Sequence, residues 1–188
     1  GVIVTASADI GKAVTKCVAG GFSYAGQVCI HTQRIFVHKS KVEKFTELFV
    51  EKVKQLRPGS PEDPETDISA MIDEKNARRV ESWVNEAVAG GARLLCGGKR
   101  KNSFFEPTLI SSAKNSMNVC CCELFGPVVV LESYEVFEKA IEEVNNSRYG
   151  LQAGVFTDSM AEMDYAFNNL EVGGVIINDV PTFRTDHM

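Results

Sequence analysis

The run Gly26-Gln27-Val28-Cys29 places a cysteine directly after a glycine-led turn, which itself follows an amphipathic helix. A thiol in that position is placed to be a nucleophile, because the thiolate is the reactive form of cysteine and needs an accessible site. Five other cysteines compete for the role: Cys17, Cys96, Cys120, Cys121 and Cys122. Cys17 shares a helical face with Ile10, Ala13, Val14 and Val18 and reads as a small apolar core residue. Cys96 closes the apolar run 92–96 and reads as a core residue of a strand. The three consecutive cysteines lack the Cys-x-x-Cys spacing of a zinc centre, and His31, His38 and His187 supply no second ligand pair, so no metal is expected. A cysteine protease, with a histidine and usually an orienting Asn or Asp brought to the thiol by the fold, stays open on these residues alone.

The elements that must position this thiol follow from periodicity. Val2 to Thr5 is β-prone, and Asp9 caps the first helix. Arg34 to His38 reads as a second strand, and Ser40-Lys41-Val42-Glu43 as a capping box for a helix buried along Val42, Phe45, Leu48, Phe49, Val53 and Leu56. Arg57 to Thr66, with Pro58, Pro61 and Pro64, suits an exposed connection. Asp73 caps a helix whose Ala77, Val80, Val84, Ala87 and Val88 share a face, and Gly90-Gly91 stops it.

Strand-like runs follow at 93–96, 105–110 and 128–131, the last apolar enough to be covered on both faces. Phe137, Ala140, Ile141 and Val144 mark a helix, 154–156 a strand, Met163, Ala166, Phe167 and Leu170 a helix, and 175–177 a strand. Strands alternating with helices predict an α/β fold with a largely parallel sheet flanked by helices.

At 188 residues, with 44% hydrophobic residues, the chain suits one packed domain. Its net charge of −5, without a basic block, argues against nucleic acid or an anionic membrane as partner. No window reaches the apolar length of a membrane span. Scattered cysteines without a disulfide framework imply free thiols and a reducing compartment, the cytoplasm by default. The chain opens on Gly1-Val2-Ile3-Val4 without a methionine and is expected to be a piece of something longer.

Taken together, Gly26-Gln27-Val28-Cys29, Glu123-Leu124-Phe125-Gly126-Pro127-Val128, Asn146-Ser147-Arg148-Tyr149-Gly150-Leu151 and Gly173-Gly174-Val175-Ile176-Ile177-Asn178 resemble the catalytic domain of the NAD(P)-dependent aldehyde dehydrogenases. The likeness spans residues 1–188 and includes Phe105-Glu106-Pro107-Thr108. It implies a three-layer αβα catalytic domain and NAD or NADP as cofactor. It further implies that Cys29 attacks an aldehyde, that a hydride leaves for the nicotinamide, and that the resulting thioester is hydrolysed to a carboxylic acid. Glu123 would hold the ribose hydroxyls, as a carboxylate can accept from two vicinal hydroxyls. Phe125 would pack near the nicotinamide ring.

The family's usual acidic residue before Glu123 is replaced here by Cys122. The family's cofactor domain, oxyanion asparagine and general-base glutamate lie upstream of this chain, so the domain is expected not to turn over aldehyde alone. Residues 178–188 resemble members acting on small anionic or hydroxylated aldehydes, with Arg184 as a bidentate anion partner for substrate. The resemblance also implies a homo-oligomer for the whole protein. Two alternatives stay open: a relative that passes the acyl group to coenzyme A, and a non-enzymatic structural module.

Overall fold

The computed structural model describes residues 1–183. Its elements run β1 (Val2–Val4), α1 (Ile10–Phe22), β2 (Arg34–His38), α2 (Val42–Gln55), α3 (Glu74–Ala89), β3 (Arg93–Cys96), β4 (Arg100–Lys101) and β5 (Phe104–Phe105). They continue β6 (Thr108–Ser111), α4 (Asn118–Cys121), β7 (Val128–Tyr134), α5 (Phe137–Asn145), β8 (Ala153–Phe156), α6 (Met160–Asn169) and β9 (Val175–Ile177). Seven strands form one sheet in the order β3-β6-β7-β2-β1-β8-β9, and β4 pairs with β5 as a separate small ribbon.

Every pairing in the large sheet is parallel except β3 with β6 at one edge. The side-chain period of two then assigns each strand residue to a face. Val2, Val4, Ile35 and Val37 join the core beneath α1, α2 and α3. Ile3, Phe36 and Val155 join a second core beneath α5 and α6. Helices therefore cover both faces, the three-layer αβα arrangement, and the strands read as continuous apolar runs because both sides are dry. Phe45 and Phe49 of α2 stack 5.7 Å apart against this core, with Phe22 of α1 6.0 Å from Phe49.

Asp9 and Asp73 cap α1 and α3 as their sequence positions require, accepting from the N–H groups of Lys12 and Asn76. The capping box expected at Ser40 does not form: the residue before α2 is Lys41, and the Ser40 hydroxyl is engaged by His38 Nδ1 at 2.8 Å. Val88 and Phe167, expected on buried faces, are exposed. The run 105–110 is divided into β5 and β6 at Glu106-Pro107, since proline offers no N–H to a ladder. Cys96 ends an edge strand and is half-buried rather than enclosed. Among the described residues, no helix is long and apolar enough to cross a membrane.

Candidate active site

The segment carrying Cys29 begins where α1 ends. Ser23 Oγ donates back to Ala19 O at 2.6 Å, and the chain then reverses through three consecutive left-handed residues, Tyr24 (φ 53°), Ala25 (φ 54°) and Gly26 (φ 67°). Each non-glycine residue in that region costs about 1–2 kcal/mol, so the turn persists only because its surroundings hold it. Ala25 and Gly26 are buried, and a Cβ on Gly26 would lie 2.2 Å from the carbonyl oxygen of Gly126. Gln27 spans the turn, donating to Tyr24 O at 3.2 Å and accepting from Ile72 N–H at 2.9 Å. A further turn, closed by His31 N–H on Val28 O at 3.1 Å, leaves Cys29 exposed at its corner.

The close approach at Gly26 brings the segment holding Glu123 beside the cysteine loop, and Gln33 ties the two together. Its amide donates to Val119 O (2.9 Å) and Cys122 O (2.8 Å) and accepts from Leu124 N–H (3.0 Å). One side chain on the strand entry thus clamps the backbone on both sides of Glu123. From the outside, Arg79 donates to Leu124 O at 2.8 Å while its guanidinium lies 4.7 Å from the Trp83 ring. Phe125 is itself left-handed (φ 48°) and 39% exposed, so its ring is presented rather than packed away. The Glu123 N–H donates to the Tyr149 hydroxyl at 3.3 Å, which joins the segment before β8 to the same cluster.

These loops precede β2, β7 and β8, which run parallel, so they meet at the edge where the strands begin. There they line a cleft of about 320 Å³ that includes Cys29, Glu123, Phe125, Tyr149 and Pro181. Open α/β sheets ordinarily bind ligands at the opposite edge, beyond the carboxyl ends of the strands. The Phe105-Glu106-Pro107-Thr108 segment is not in the cleft; Thr108 Oγ1 donates to Glu106 O at 2.6 Å and accepts from Gly98 N–H at 2.8 Å, building a turn. Arg184 and His187 lie outside the described residues.

Burial separates the thiols. It pushes those of Cys17 and Cys96 up and that of Cys120 up to about 11, leaving them protonated near neutrality. Cys29 and Cys121 are the exposed pair. His31 also lines the cleft, but burial holds its imidazole down to about 4, and its Nε2 donates to Gly21 O at 3.0 Å, so it is neutral. Among the described residues, no group of three or more His, Cys, Asp or Glu side chains is placed to hold a metal.

Gln33 escaped the sequence reading, and Tyr149 enters it only as part of the motif 146–151, without its contact to Glu123. A glutamine immediately before a strand as apolar as 35–37 was the available signal, since a polar side chain there needs partners.

The sequence pattern of the aldehyde dehydrogenase family matches residues 1–188. The chain is 44% identical over 186 residues to a 3-sulfolactaldehyde dehydrogenase from Priestia aryabhattai, covering 99% of this chain and 39% of that protein. It is 40% identical over 186 residues to a lactaldehyde dehydrogenase from Methanococcus aeolicus, covering 99% of this chain and 40% of that one. A glyceraldehyde-3-phosphate dehydrogenase from Methanocaldococcus jannaschii, solved in complex with NADP, superposes with a TM-score of 0.95 at 40% identity over 100% of this chain and 41% of its own. The chain thus spans about two fifths of the length of the relatives it matches. With matches over its whole length in sequence and in fold, the chain belongs to the aldehyde dehydrogenase family.

Proposed function

We propose that residues 1–188 are the catalytic domain of an NAD(P)-dependent enzyme that oxidises a small aldehyde to a carboxylic acid through a thioester on Cys29. The observation that carries this reading is the meeting, in one cleft of about 320 Å³, of an exposed thiol, an exposed carboxylate and a presented aromatic ring from distant parts of the sequence. Of the cleft thiols, Cys29 is the exposed one, so it is the group that can reach an incoming carbonyl. Its sulfur attacks the carbonyl carbon, the carbon–sulfur bond forms, and the π pair moves to oxygen. We assign the Cys29 backbone N–H as a donor to that oxyanion.

The donor set fits the nicotinamide riboside end of NAD or NADP. Glu123 is an exposed carboxylate able to accept from both ribose hydroxyls, and Phe125 offers an apolar ring beside it. The chemistry the nicotinamide supplies when bound is hydride acceptance, which leaves the acyl group on Cys29 as a thioester. Cysteine suits the second half too, because a thioester is readily attacked by water. Gln33 holds Glu123 in register with the cysteine loop throughout.

The substrate we assign is a small aldehyde bearing a hydroxyl or an anionic group. The names of the relatives at 44% and 40% identity support it, and Arg184 is the candidate anion partner. In the complete enzyme, Arg184→Ala is expected to raise KM for an anionic aldehyde far more than for a neutral one. We also assign a cytoplasmic location, supported by six free cysteines, and a homo-oligomeric whole protein, supported by the apolar edge residues Leu94 and Ile177 left exposed on β3 and β9.

Iodoacetamide labelling of this chain, read cysteine by cysteine by peptide mass spectrometry, tests the nucleophile. Cys29 should label first, ahead of Cys121. Labelling of Cys121 at an equal or greater rate would remove Cys29 from the role.

A further inference from the structure

Cys120, Cys121 and Cys122 take no part in the proposed reaction, yet their side chains are not equivalent. Cys120 is half-buried and packs against the core, whereas Cys121 is exposed and Cys122 lies at the cleft wall next to Glu123. The sulfurs of Cys121 and Cys122 are 3.8 Å apart. Arg148 Nη2 donates to Cys122 Sγ at 3.3 Å, and Cys122 Sγ also reaches Asn118 Oδ1 at 3.7 Å. A guanidinium on one member of an adjacent, accessible thiol pair is the setting in which a thiol is oxidised selectively and a neighbour resolves the product.

We propose that Cys121 and Cys122 form a reversible oxidation site for hydrogen peroxide or a small hydroperoxide, closing to a vicinal disulfide at the wall of the cleft. The Cys122 thiolate attacks the peroxide, an S–O bond forms as the O–O bond breaks, and hydroxide leaves, so the sulfur is oxidised by two electrons and the peroxide reduced. Cys121 sulfur then attacks the sulfenic sulfur of Cys122; the S–S bond forms, the S–O bond breaks, and the oxygen departs as water with the Cys121 proton. Neighbouring Cα atoms sit about 3.8 Å apart across a trans peptide. Bridged cysteines normally span about 4.4–6.8 Å, so this disulfide is strained and readily reopened by a dithiol. Closure draws Cys122 from Arg148 and turns the peptide that Gln33 holds at Cys122 O, which repositions Glu123. That last consequence rests on the role proposed for Glu123; the oxidation itself does not.

The test uses the chain itself. After graded hydrogen peroxide treatment, alkylation and tryptic digestion, the peptide 115–139 contains all three cysteines. The expected result is loss of two hydrogens with one alkyl group, located on Cys120, and recovery of all three alkyl groups after dithiothreitol. Cys120→Ser should retain the loss of two hydrogens. Cys121→Ser should abolish it and leave a dimedone-reactive sulfenic acid on Cys122. Peptide 115–139 that stays fully alkylated while Cys29 oxidises, an alkyl group left on Cys121 or Cys122, or conversion to sulfinic acid that dithiothreitol does not reverse would each overturn the proposal.

Discussion

At the edge where the parallel strands end, the polar groups bond to one another. Ser7 Oγ lies 3.0 Å from Thr5 Oγ1 and 3.1 Å from Thr157 Oγ1, and accepts from Asp158 N–H at 3.0 Å. Asn178 pairs with both the N–H and the C=O of Thr157 at 3.0 Å, and Ser159 caps α6. At the edge where the strands begin, among the described residues, buried atoms of His31, Thr32 and Arg34 have no hydrogen-bond partner, and the chain is held left-handed at Tyr24, Ala25 and Phe125. Left-handed residues also occur at the far edge, at Ser112 and Asn178, but Asn178 is of a type that tolerates the conformation. The difference teaches where to look for chemistry. A closed polar network stabilises, whereas strained loops that present a thiol, a carboxylate and a ring are kept for another reason.

The comparison can be broken most severely at Gly26. Gly26→Ala adds about 1–2 kcal/mol for the left-handed backbone and about 1–3 kcal/mol for overlap with Gly126, so a loss of about 2–5 kcal/mol is expected in denaturant unfolding. A loss below 1 kcal/mol, about the value of a single helix cap, would show that the two loops are not locked together.

Gln33→Ala comes next. It leaves two carbonyls and one N–H without their partner, for an expected cost of about 3 kcal/mol. On the cofactor role proposed for Glu123, the complete enzyme should also show a raised KM for NAD(P). An unchanged KM alongside lost stability would reduce Gln33 to a structural role.

Protonation probes the same edge. His31 is neutral in the fold, with its imidazole held down to about 4 against an ordinary value of 6.5. Between those values the unfolded chain binds a proton that the folded chain does not. His31 therefore contributes a loss of stability, on the order of 2 kcal/mol, as pH falls from about 6.5 to about 4. His31→Gln should flatten the pH dependence of the unfolding midpoint over that window, and an unaltered slope would assign it to other groups.

The smallest effect belongs to the far edge. Ser159→Ala removes the cap of α6 and should cost about 1 kcal/mol while leaving the labelling rate of Cys29 unchanged. A changed labelling rate would mean that the two edges are coupled.

Much of the fold was legible because local rules and tertiary packing agree. The apolar stripes of α1 and α2 and the caps at Asp9 and Asp73 follow from spacing, and the alternation of strands and helices from composition along the chain. The misreadings have local causes. Ser40 had a capping sequence but a competing partner in His38, and Val88 and Phe167 sit on the right period at positions no neighbouring element covers. The antiparallel placement of β3 leaves no trace in its four residues, since strand direction is set by the partner.

By itself the sequence determined the longer helices, most strands of the large sheet and its largely parallel class, but not α4 or the β4–β5 ribbon. These depend on contacts within a few residues or on helical and strand periods, whereas the segments around Glu123 and Tyr149 stand out only through the family resemblance. Only the tertiary structure decided that Cys29 and Glu123 share a cleft, that Gln33 clamps one to the other, and that the cleft opens at the edge where the strands begin. Gln33 and Leu124 are 91 residues apart, and nothing in either segment specifies the other until the sheet has brought their strands side by side.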